Sequence, residues 1–199
     1  MDALVMCGGR GTRLGGATEK ALVPVAGEPM VERVLAALAD SRVGRVQAAV
    51  SPHAPATRER LAGRNEVRIV ETPGDGYVAD LRHALGGVTT PVVTVASDLP
   101  LLAGDCVDRL LGRVEAAGSG DGDPTSLATY VPVELKRELG VSVDATATVD
   151  GRAVAPTGLN VVADGARDEC VVVEDRRLAV NANRPRDLRA AAALLEGDR

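Results

Sequence analysis

A three-layer α/β domain with a mostly parallel central sheet is the fold class that this sequence predicts. Short apolar runs of strand length alternate with stretches of helical periodicity, and loops rich in glycine or polar residues follow the strands. The 199 residues are enough for one domain that buries roughly 70% of its unfolded surface, and too few for two ordinary domains. We therefore expect a single domain over residues 1–199, with an aliphatic core because the chain has only two tyrosines and no Phe or Trp.

The predicted elements follow from the apolar spacing along the chain. Apolar runs predict strands at Ala3–Met6, Arg45–Val50, Val67–Val70, Pro91–Ala96, Ser126–Val131, Pro156–Val162 and Leu178–Val180, and Ala21–Val25 is expected to be extended. Helical spacing predicts a helix that begins at 27–29, helices at Tyr77–Leu85, Val107–Val114 and Pro132–Leu139, and an alanine-rich helix after Leu188. Residues 118–124 are expected to form a flexible acidic loop, and residues 141–154 a flap.

The glycine-rich segment Gly8–Lys20 after the first strand, which we call the phosphate loop, is suited to phosphate binding. Glycines stand at positions 8, 9, 11, 15 and 16, with Arg10, Arg13 and Lys20 among them. Glycines allow backbone N–H groups to turn towards phosphate oxygens, and the cationic side chains offset the charge of those oxygens. The segment is not a P-loop, because Lys20 is not followed by Ser or Thr. A dinucleotide fingerprint is disfavoured, because Leu14 stands where the third glycine belongs.

Lysine is rare in this chain, and its rarity singles out Lys20. Of the 23 basic residues only Lys20 and Lys136 are lysines, so arginine has been used almost everywhere that a positive charge suffices. A compact ammonium on a flexible stem differs from a planar guanidinium in a crowded phosphate pocket. The sequence therefore indicates that Lys20 occupies a site that needs this geometry.

Asp98 follows the most strand-like run of the sequence. An aspartate at the carboxyl end of a central parallel strand points into the crevice where α/β proteins bind ligands, and its hard oxygens suit Mg²⁺ beside a triphosphate. The alternative is a helix N-cap, but Asp105 lies closer to the next predicted helix and can take that role. We interpret Asp98 as a metal ligand.

Two further loops follow strands at the same edge. Ser51 belongs to the first, and Thr72, Gly74 and Gly76 belong to the second, which precedes a helix N-terminus. These four residues are candidates for nucleotide binding, although a glycine turn that only reverses the chain would give the same pattern. His53 is expected to be an exposed loop histidine.

The motifs together resemble those of a known enzyme family. Gly8-Gly-Arg-Gly-Thr-Arg-Leu-Gly15, then Lys20-Ala-Leu-Val-Pro-Val-Ala-Gly27-Glu-Pro29, and finally Asn181-Ala-Asn183-Arg-Pro185-Arg-Asp187-Leu188 are similar to the signature segments of the GT-A-like nucleotidyltransferases. That family has a Rossmann-like fold of the nucleotide-diphospho-sugar transferase type. Within it, the segments Gly76–Leu81, Ser97–Leu99 and Pro156–Val162 look most like the archaeal GTP:adenosylcobinamide-phosphate guanylyltransferases. Cys7 replaces the commoner alanine before the Gly-Gly pair.

The resemblance implies a reaction and a set of site residues. GTP would donate GMP to adenosylcobinamide phosphate with release of pyrophosphate and with Mg²⁺ as cofactor, in cobalamin biosynthesis. Arg13, Lys20 and Asp98 would be catalytic, with Asp98 holding the metal. Nucleotide binding is expected at Gly8, Gly9, Arg10, Gly11, Thr12, Ser51, Thr72, Gly74 and Gly76, and acceptor binding at Gly158, Asn160 and Asn183. Residues 1–115 would mainly bind the nucleotide and 120–199 the acceptor, and a homodimer is compatible with the resemblance.

Two alternatives stay open at this point. A molybdenum cofactor guanylyltransferase performs the same chemistry on molybdopterin, and a guanine-nucleotide sensor would keep the fold without the reaction. The retention of Lys20 and Asp98 argues against a sensor. The small and aliphatic residues of Tyr130–Pro132 and Val154–Val162 favour the large corrinoid over the small polar pterin.

Composition limits which binding partners and which cellular compartment we expect for this protein. A net charge of −5 and no basic stripe outside the phosphate loop argue against nucleic-acid binding. The three cysteines are widely spaced and form no Cys-x-x-Cys pair, so neither a disulfide framework nor a zinc site is indicated. No run approaches the roughly 18 apolar residues of a membrane span, and we expect a cytoplasmic protein.

Overall fold

The computed structural model of the chain describes residues 1–16, 18–117, 124–165 and 167–197. The acidic loop expected at 118–124 lies outside the described residues except for Pro124. The strands are β1 Asp2–Met6, β2 Pro24–Val25, β3 Glu28–Pro29, β4 Val46–Val50, β5 Val67–Glu71, β6 Val92–Ala96, β7 Thr125–Pro132, β8 Ala147–Val149, β9 Arg152–Val162 and β10 Arg167–Val172. The helices are α1 Met30–Ala39, α2 Pro55–Ala62, α3 Tyr77–Leu85, α4 Gly104–Ala117, α5 Val133–Glu138 and α6 Pro185–Gly197.

The described strands form a large mixed sheet in the order β10-β7-β9-β6-β1-β4-β5, with β8 paired to β9. The pairs β6–β1, β1–β4, β4–β5 and β10–β7 are parallel, whereas β9 runs antiparallel to its neighbours β6, β7 and β8. The short strands β2 and β3 form a separate antiparallel pair. The predicted α/β class with a mostly parallel sheet is confirmed.

Successive side chains of β1 point to opposite faces of the sheet, and helices pack against them on both faces. Ala3 and Val5 belong to a buried cluster that includes residues of α1, α2 and α4, whereas Leu4 and Met6 belong to another that includes Ala84 of α3. This period-2 alternation is what a strand covered on both faces requires. A third cluster joins the start of α1 to α6 through Met30 and Ala191, which are both fully buried.

The strand predicted at Leu178–Val180 is wrong. These residues are buried, but the N–H of Leu178 donates to the carbonyl of Asp175 and the N–H of Ala179 to that of Arg176, so the backbone turns instead of pairing with the sheet. A short apolar run in the sequence indicates that a segment is buried. It does not distinguish a buried turn from a buried strand, because both give such a run. Ala21 and Leu22, which we expected to be extended, lie in a 3-10 turn over Lys20–Leu22.

Four of these strands and helices were not predicted, and the first is β3, which pairs with β2 where a helix was expected to begin. The strand β10 is mostly exposed and polar, α2 buries only Thr57 and Leu61, and β8 pairs with β9 in a hairpin within the expected flap. Asp105 does not precede α4 but lies in its first turn, where its carboxylate accepts hydrogen bonds from Arg109 and Arg177.

In the described part of the chain no helix is both long and apolar enough to traverse a bilayer.

Candidate functional site

A cleft of about 580 Å³ opens at the carboxyl ends of β1 and β6. This edge is where open parallel sheets bind ligands, because the loops that follow the strands diverge there. The cleft is lined by Met6, Gly8, Gly9, Arg10, Lys20, His53, Gly74, Gly76, Tyr77, Asp80, Ala96, Ser97, Asp98, Lys136, Ser142, Asp144, Ala145, Ala155, Pro156, Gly158, Asn160, Asn181 and Asn183.

Lys20, Asp98 and Asn183 meet in this cleft. The Lys20 ammonium donates to Oδ2 of Asp98 at 2.5 Å and to Oδ1 of Asn183 at 2.5 Å. The Lys20 side chain is 20% exposed and that of Asp98 is 9% exposed, so the pair is screened from bulk water but reachable from the cleft. Residues from three distant parts of the sequence thus place one cation and two oxygen ligands together.

Lys20 is fixed by its neighbours in sequence. Gly11 has a φ of 68° and packs against the Lys20 backbone so closely that a Cβ would lie 3.1 Å from its nitrogen, so this position requires glycine. The carboxylate of Glu19 accepts hydrogen bonds from the N–H groups of Ala56 and Thr57 at 2.8 and 2.7 Å and from the Thr57 hydroxyl at 2.6 Å. Glu19 therefore caps α2 and ties the phosphate loop to it.

The loop that carries Asn183 is held by Asp187, which is fully buried. Its carboxylate accepts hydrogen bonds from the N–H of Asn183 at 3.1 Å, the N–H of Arg184 at 2.8 Å and the hydroxyl of Ser142 at 2.6 Å. The N–H of Ala182 also donates to the carbonyl of Asp98 at 2.9 Å. The closing motif of the sequence is therefore a support that brings Asn183 to the strand end of Asp98.

Lys136, the second lysine of the chain, also lines the cleft, although it was not among the predicted site residues. It is 3% exposed and donates to the carbonyl of Ala179 at 2.6 Å and to Oδ1 of Asn181 at 3.0 Å. Burial lowers the pKa of Lys136, and the negative charges of Asp98, Asp187 and Asp144 act in the opposite direction. The rarity of lysine was the signal that could have found it.

Asn181 links Lys136 to the cluster formed by Lys20, Asp98 and Asn183. While its Oδ1 accepts from Lys136, its Nδ2 donates to the carbonyl of Thr157 at 2.7 Å and lies 3.4 Å from Oδ1 of Asp98. Gly158, with a φ of 86°, follows in β9, and a Cβ there would lie 2.9 Å from the Cβ of Ala96. The wall formed by β6 and β9 is thus closely packed where it reaches Asp98.

At the other side of the cleft the loops after β4 and β5 meet the phosphate loop. His53 is half-buried in the cleft wall rather than exposed as expected, with Nε2 3.2 Å from the carbonyl oxygen of Gly74 and 2.8 Å from Nη2 of Arg10. Ser51 is buried and its hydroxyl donates to the carbonyl of Gly8 at 2.9 Å. Asp80 is 5% exposed and accepts a hydrogen bond from the N–H of Gly74 at 2.7 Å.

The structure separates the predicted site residues into two groups. Gly8, Gly9, Arg10, Lys20, Gly74, Gly76, Asp98, Gly158, Asn160 and Asn183 line the cleft. The other predicted residues are not among those that line it, and they are Gly11, Thr12, Arg13, Ser51 and Thr72. Arg13 has a 67% exposed side chain 3.8 Å from Asp144, and its catalytic role stays a prediction. Asn160 also supports the sheet, since its Oδ1 accepts from the N–H of Thr129 at 3.0 Å.

The oxygen ligands in the cleft fit a magnesium ion. Among the described residues, Oδ1 of Asp98 has only the 3.4 Å contact with Asn181, and no group of three or more His, Cys, Asp or Glu side chains is placed to bind a metal. Mg²⁺ characteristically binds through one or two carboxylates together with substrate phosphates, and does not need an all-protein cage. Asp98, with the amide oxygen of Asn183, could therefore hold Mg²⁺.

Fold and cleft together define a nucleotidyltransferase, and the chain belongs to the family described as the MobA-like NTP transferase domain, whose model matches residues 3–139. Among individual proteins it is similar to the adenosylcobinamide-phosphate guanylyltransferase of Methanocaldococcus jannaschii. The two are 31% identical over 100% of this chain and 99% of that relative.

Another relative is similar over part of its length only. The bifunctional protein GlmU of an Exiguobacterium species is 34% identical over 57% of this chain, which spans 26% of that protein. The likeness is therefore to one portion of a longer protein.

Solved structures support the fold. A CMP:2-keto-3-deoxy-manno-octonic acid synthetase complexed with CTP has a TM-score of 0.66 at 14% identity, over 100% of this chain and 99% of that one. A nucleotidyl transferase from Methanothermobacter thermautotroptrophicus has a TM-score of 0.65 at 20% identity, over 98% of both chains.

Proposed function

We propose that this enzyme transfers GMP from GTP to adenosylcobinamide phosphate, giving adenosylcobinamide-GDP and pyrophosphate, a step of cobalamin biosynthesis. The observation that carries the proposal is the likeness over the entire chain to a relative of that name. The cleft supports it, because an ammonium and a carboxylate lie side by side where a triphosphate would meet a second substrate.

The reaction follows from the charges involved. A phosphate oxygen of the acceptor attacks the α-phosphorus of GTP, a new P–O bond forms, and the bond to the β-phosphate breaks with its electrons leaving on pyrophosphate. Negative charge builds on the α-phosphate oxygens and on the leaving group, so placed cations accelerate the reaction. The attacking phosphate is ionised at neutral pH, and no general base is needed.

Each cleft residue has a part in this proposal. Lys20 stabilises the charge that develops at the α-phosphate, Arg13 reaches the triphosphate from the edge of the cleft, and the backbone of 8–12 cradles the outer phosphates. Mg²⁺ held by Asp98 and Asn183 would offset phosphate charge when bound. Lys136 fixes Asn181, and through it the position of Asp98.

The acceptor binds along the β9 side of the cleft. Ala155, Pro156 and Gly158 line this side and offer small, largely apolar surface, which suits the broad faces of a corrinoid better than a polar pterin. Tyr130–Pro132 is not part of the lining, so the acceptor surface is smaller than the sequence indicated. Charged groups are present as well, since Asp144 lies on the lining and binds Arg184 at 2.8 Å.

The test offers two acceptors to the purified enzyme. With GTP labelled at the α-phosphate and Mg²⁺, we expect pyrophosphate release and a labelled product with adenosylcobinamide phosphate, and neither with molybdopterin or without acceptor. Product with molybdopterin alone would identify a molybdenum cofactor guanylyltransferase. Nucleotide binding without product from either acceptor would favour a sensor.

A homodimer and a cytoplasmic location stay predictions. Light scattering of the purified protein tests whether it is a homodimer.

A further inference from the structure

Asp80 differs from the other carboxylates that line the cleft. Asp98 contacts Lys20, and Asp144 contacts Arg184, so each has a cationic partner. Among the described residues Asp80 has none within 4 Å, although it is only 5% exposed. A buried carboxylate without a cation is costly unless hydrogen-bond donors satisfy it.

Only one oxygen of Asp80 is satisfied by the described part of the protein. Oδ1 accepts the hydrogen bond from the N–H of Gly74 at 2.7 Å, while Oδ2 has no hydrogen-bond partner there. A Cβ on Gly8 would lie 3.4 Å from this Oδ2, which places the free oxygen directly beside the first glycine of the phosphate loop. Asp80 is held rigidly, because it lies in the first turn of α3 and its N–H donates to the carbonyl of Gly76 at 2.9 Å.

The charge of Asp80 decides which part of a nucleotide can lie against it. Phosphate oxygens would be repelled by an unpaired carboxylate, and they have cations at Lys20 and Arg10 instead. A nucleobase edge with N–H donors would satisfy Oδ2, since an ionised carboxylate only accepts hydrogen bonds. Guanine presents two adjacent donors, N1–H and the exocyclic 2-amine. Adenine has an acceptor at N1, and hypoxanthine lacks the amine.

We propose that Asp80 reads the base of the nucleotide, with Oδ2 accepting hydrogen bonds from N1–H and the 2-amine of guanine. This inference rests on the proposed function, because it names the group that selects GTP. A Cβ on Gly8 would lie 3.0 Å from the Cβ of Ser51, 3.2 Å from its hydroxyl oxygen and 3.4 Å from Oδ2, so glycine keeps the backbone at position 8 close to Asp80.

The unmodified enzyme provides the first test, which needs no acceptor. Binding of GTP, inosine triphosphate and N1-methyl-GTP is measured by calorimetry. We expect each analogue to bind at least about tenfold more weakly than GTP, because each loses a hydrogen bond to a charged group. Equal binding of all three would overturn the role of Asp80. If ATP or CTP bound better than GTP, the proposed function itself would fail, which is a different result.

The variant Asp80→Asn gives the second test. An amide can keep its oxygen on the Gly74 N–H, and its NH₂ then replaces Oδ2 with a donor, which suits the 2-carbonyl of xanthine and opposes the 2-amine of guanine. The preference between GTP and xanthosine triphosphate should therefore reverse, with GTP affinity falling about tenfold to a hundredfold. Asp144→Asn, at another carboxylate of the cleft, is the matched control and should leave the ratio unchanged. An Asp80→Asn enzyme that keeps the parent's preference would overturn the inference.

Discussion

The ammonium of Lys20 lies 2.5 Å from Oδ2 of Asp98, a residue 78 positions further along the chain. The pair sits where the strand end of β6 meets the phosphate loop, and Asn183 contacts the same ammonium at 2.5 Å. Because a triphosphate would attract this cation as Asp98 does, we expect nucleotide binding to redistribute the contacts of Lys20.

Removing the cation should lower turnover far more than it affects folding. In Lys20→Ala the loop backbone keeps its glycines and the Glu19 cap, but the charge that develops on the α-phosphate loses its placed donor. We expect kcat to fall roughly a hundredfold or more, which is the usual cost of removing one such group. Single-turnover assays, with circular dichroism as the fold control, measure it. An unchanged rate would remove Lys20 from the mechanism.

Asp98→Asn keeps the shape of the side chain and removes its charge. Mg²⁺ prefers carboxylate oxygens, so a neutral amide should weaken the magnesium dependence and strongly reduce activity. The rate is titrated with MgCl₂ for parent and variant. If the two titration curves overlay, Asp98 has a structural role only. Asp144→Asn serves as the comparison, since it also removes a cleft carboxylate.

The lysine pattern shows what sequence could and could not predict in the site. Rarity identified Lys20 because a motif surrounds it, whereas the equally rare Lys136 lies in an ordinary amphipathic helix and was not selected. Its function depends on Ala179 and Asn181, which lie more than 40 residues away along the chain and meet it only in the fold. Asp80 was missed for the same reason, since one helical aspartate resembles any other until the loop at Gly74 closes over it.

The fold was predicted best where a buried apolar segment is also a strand. Strands buried on both faces, such as β1 and β6, are almost entirely apolar, with Asp2 and Thr94 as their only polar residues, and are easily recognised. The edge strand β10 is exposed and polar in its first half, and only Cys170–Val172 are apolar, so its pairing with β7 leaves a weak apolar signature. The segment Leu178–Val180 has the opposite problem, because it is fully apolar and yet turns.

Replacement of Lys136 should impair catalysis by displacing Asn181. In Lys136→Met the carbonyl of Ala179 and the amide oxygen of Asn181 lose their donor, and each unsatisfied buried acceptor costs about 1–3 kcal/mol. We expect a lower melting temperature and, at a temperature where both proteins are folded, a kcat at least about tenfold lower. GTP affinity should change little, because Lys136 acts through Asn181 and Asp98.

The variant Lys136→Arg tests whether position 136 needs only a positive charge or also a side chain of the size of lysine. The site is only 3% exposed, so the larger guanidinium should be accommodated poorly and should not restore the parent's kcat. Full activity of the arginine variant would show that charge alone matters there. Full activity of the methionine variant would show that Asn181 does not need Lys136.

Thiol reactivity should distinguish the cysteines. Cys7 is 1% exposed, and burial raises its pKa to about 12, so the reactive thiolate is scarce at neutral pH. Burial and the charge of Asp175 also raise the pKa of Cys106. Cys170 is exposed on β10. A thiol reagent should label Cys170 rapidly in the native protein, and Cys170→Ser should abolish the fast phase, whereas persistent fast labelling would mean that Cys7 or Cys106 is accessible.

The cap formed by Glu19 should make stability depend on acidic pH. Partial burial raises the pKa of Glu19, but the hydrogen bonds from Thr57 and from the N–H of Ala56 more than offset this, and the pKa lies below its ordinary value of 4.5. A carboxyl whose pKa is lowered on folding stabilises the native state above its unfolded pKa, and this stabilisation is lost as the pH falls through the folded value. The contribution should therefore be complete above the ordinary pKa of 4.5 and be lost as the pH falls through the lower pKa of the folded state.

Urea unfolding of Glu19→Gln at several pH values tests the cap. We expect the variant to be less stable than the parent by about 1 kcal/mol at neutral pH, the usual value for a capping residue, with the difference shrinking towards acid. Glu59→Gln changes an exposed glutamate on the same helix α2 and should stay within about 0.5 kcal/mol of the parent throughout. A difference between Glu19→Gln and the parent that is constant with pH would show that the carboxylate charge is not what secures the phosphate loop to α2.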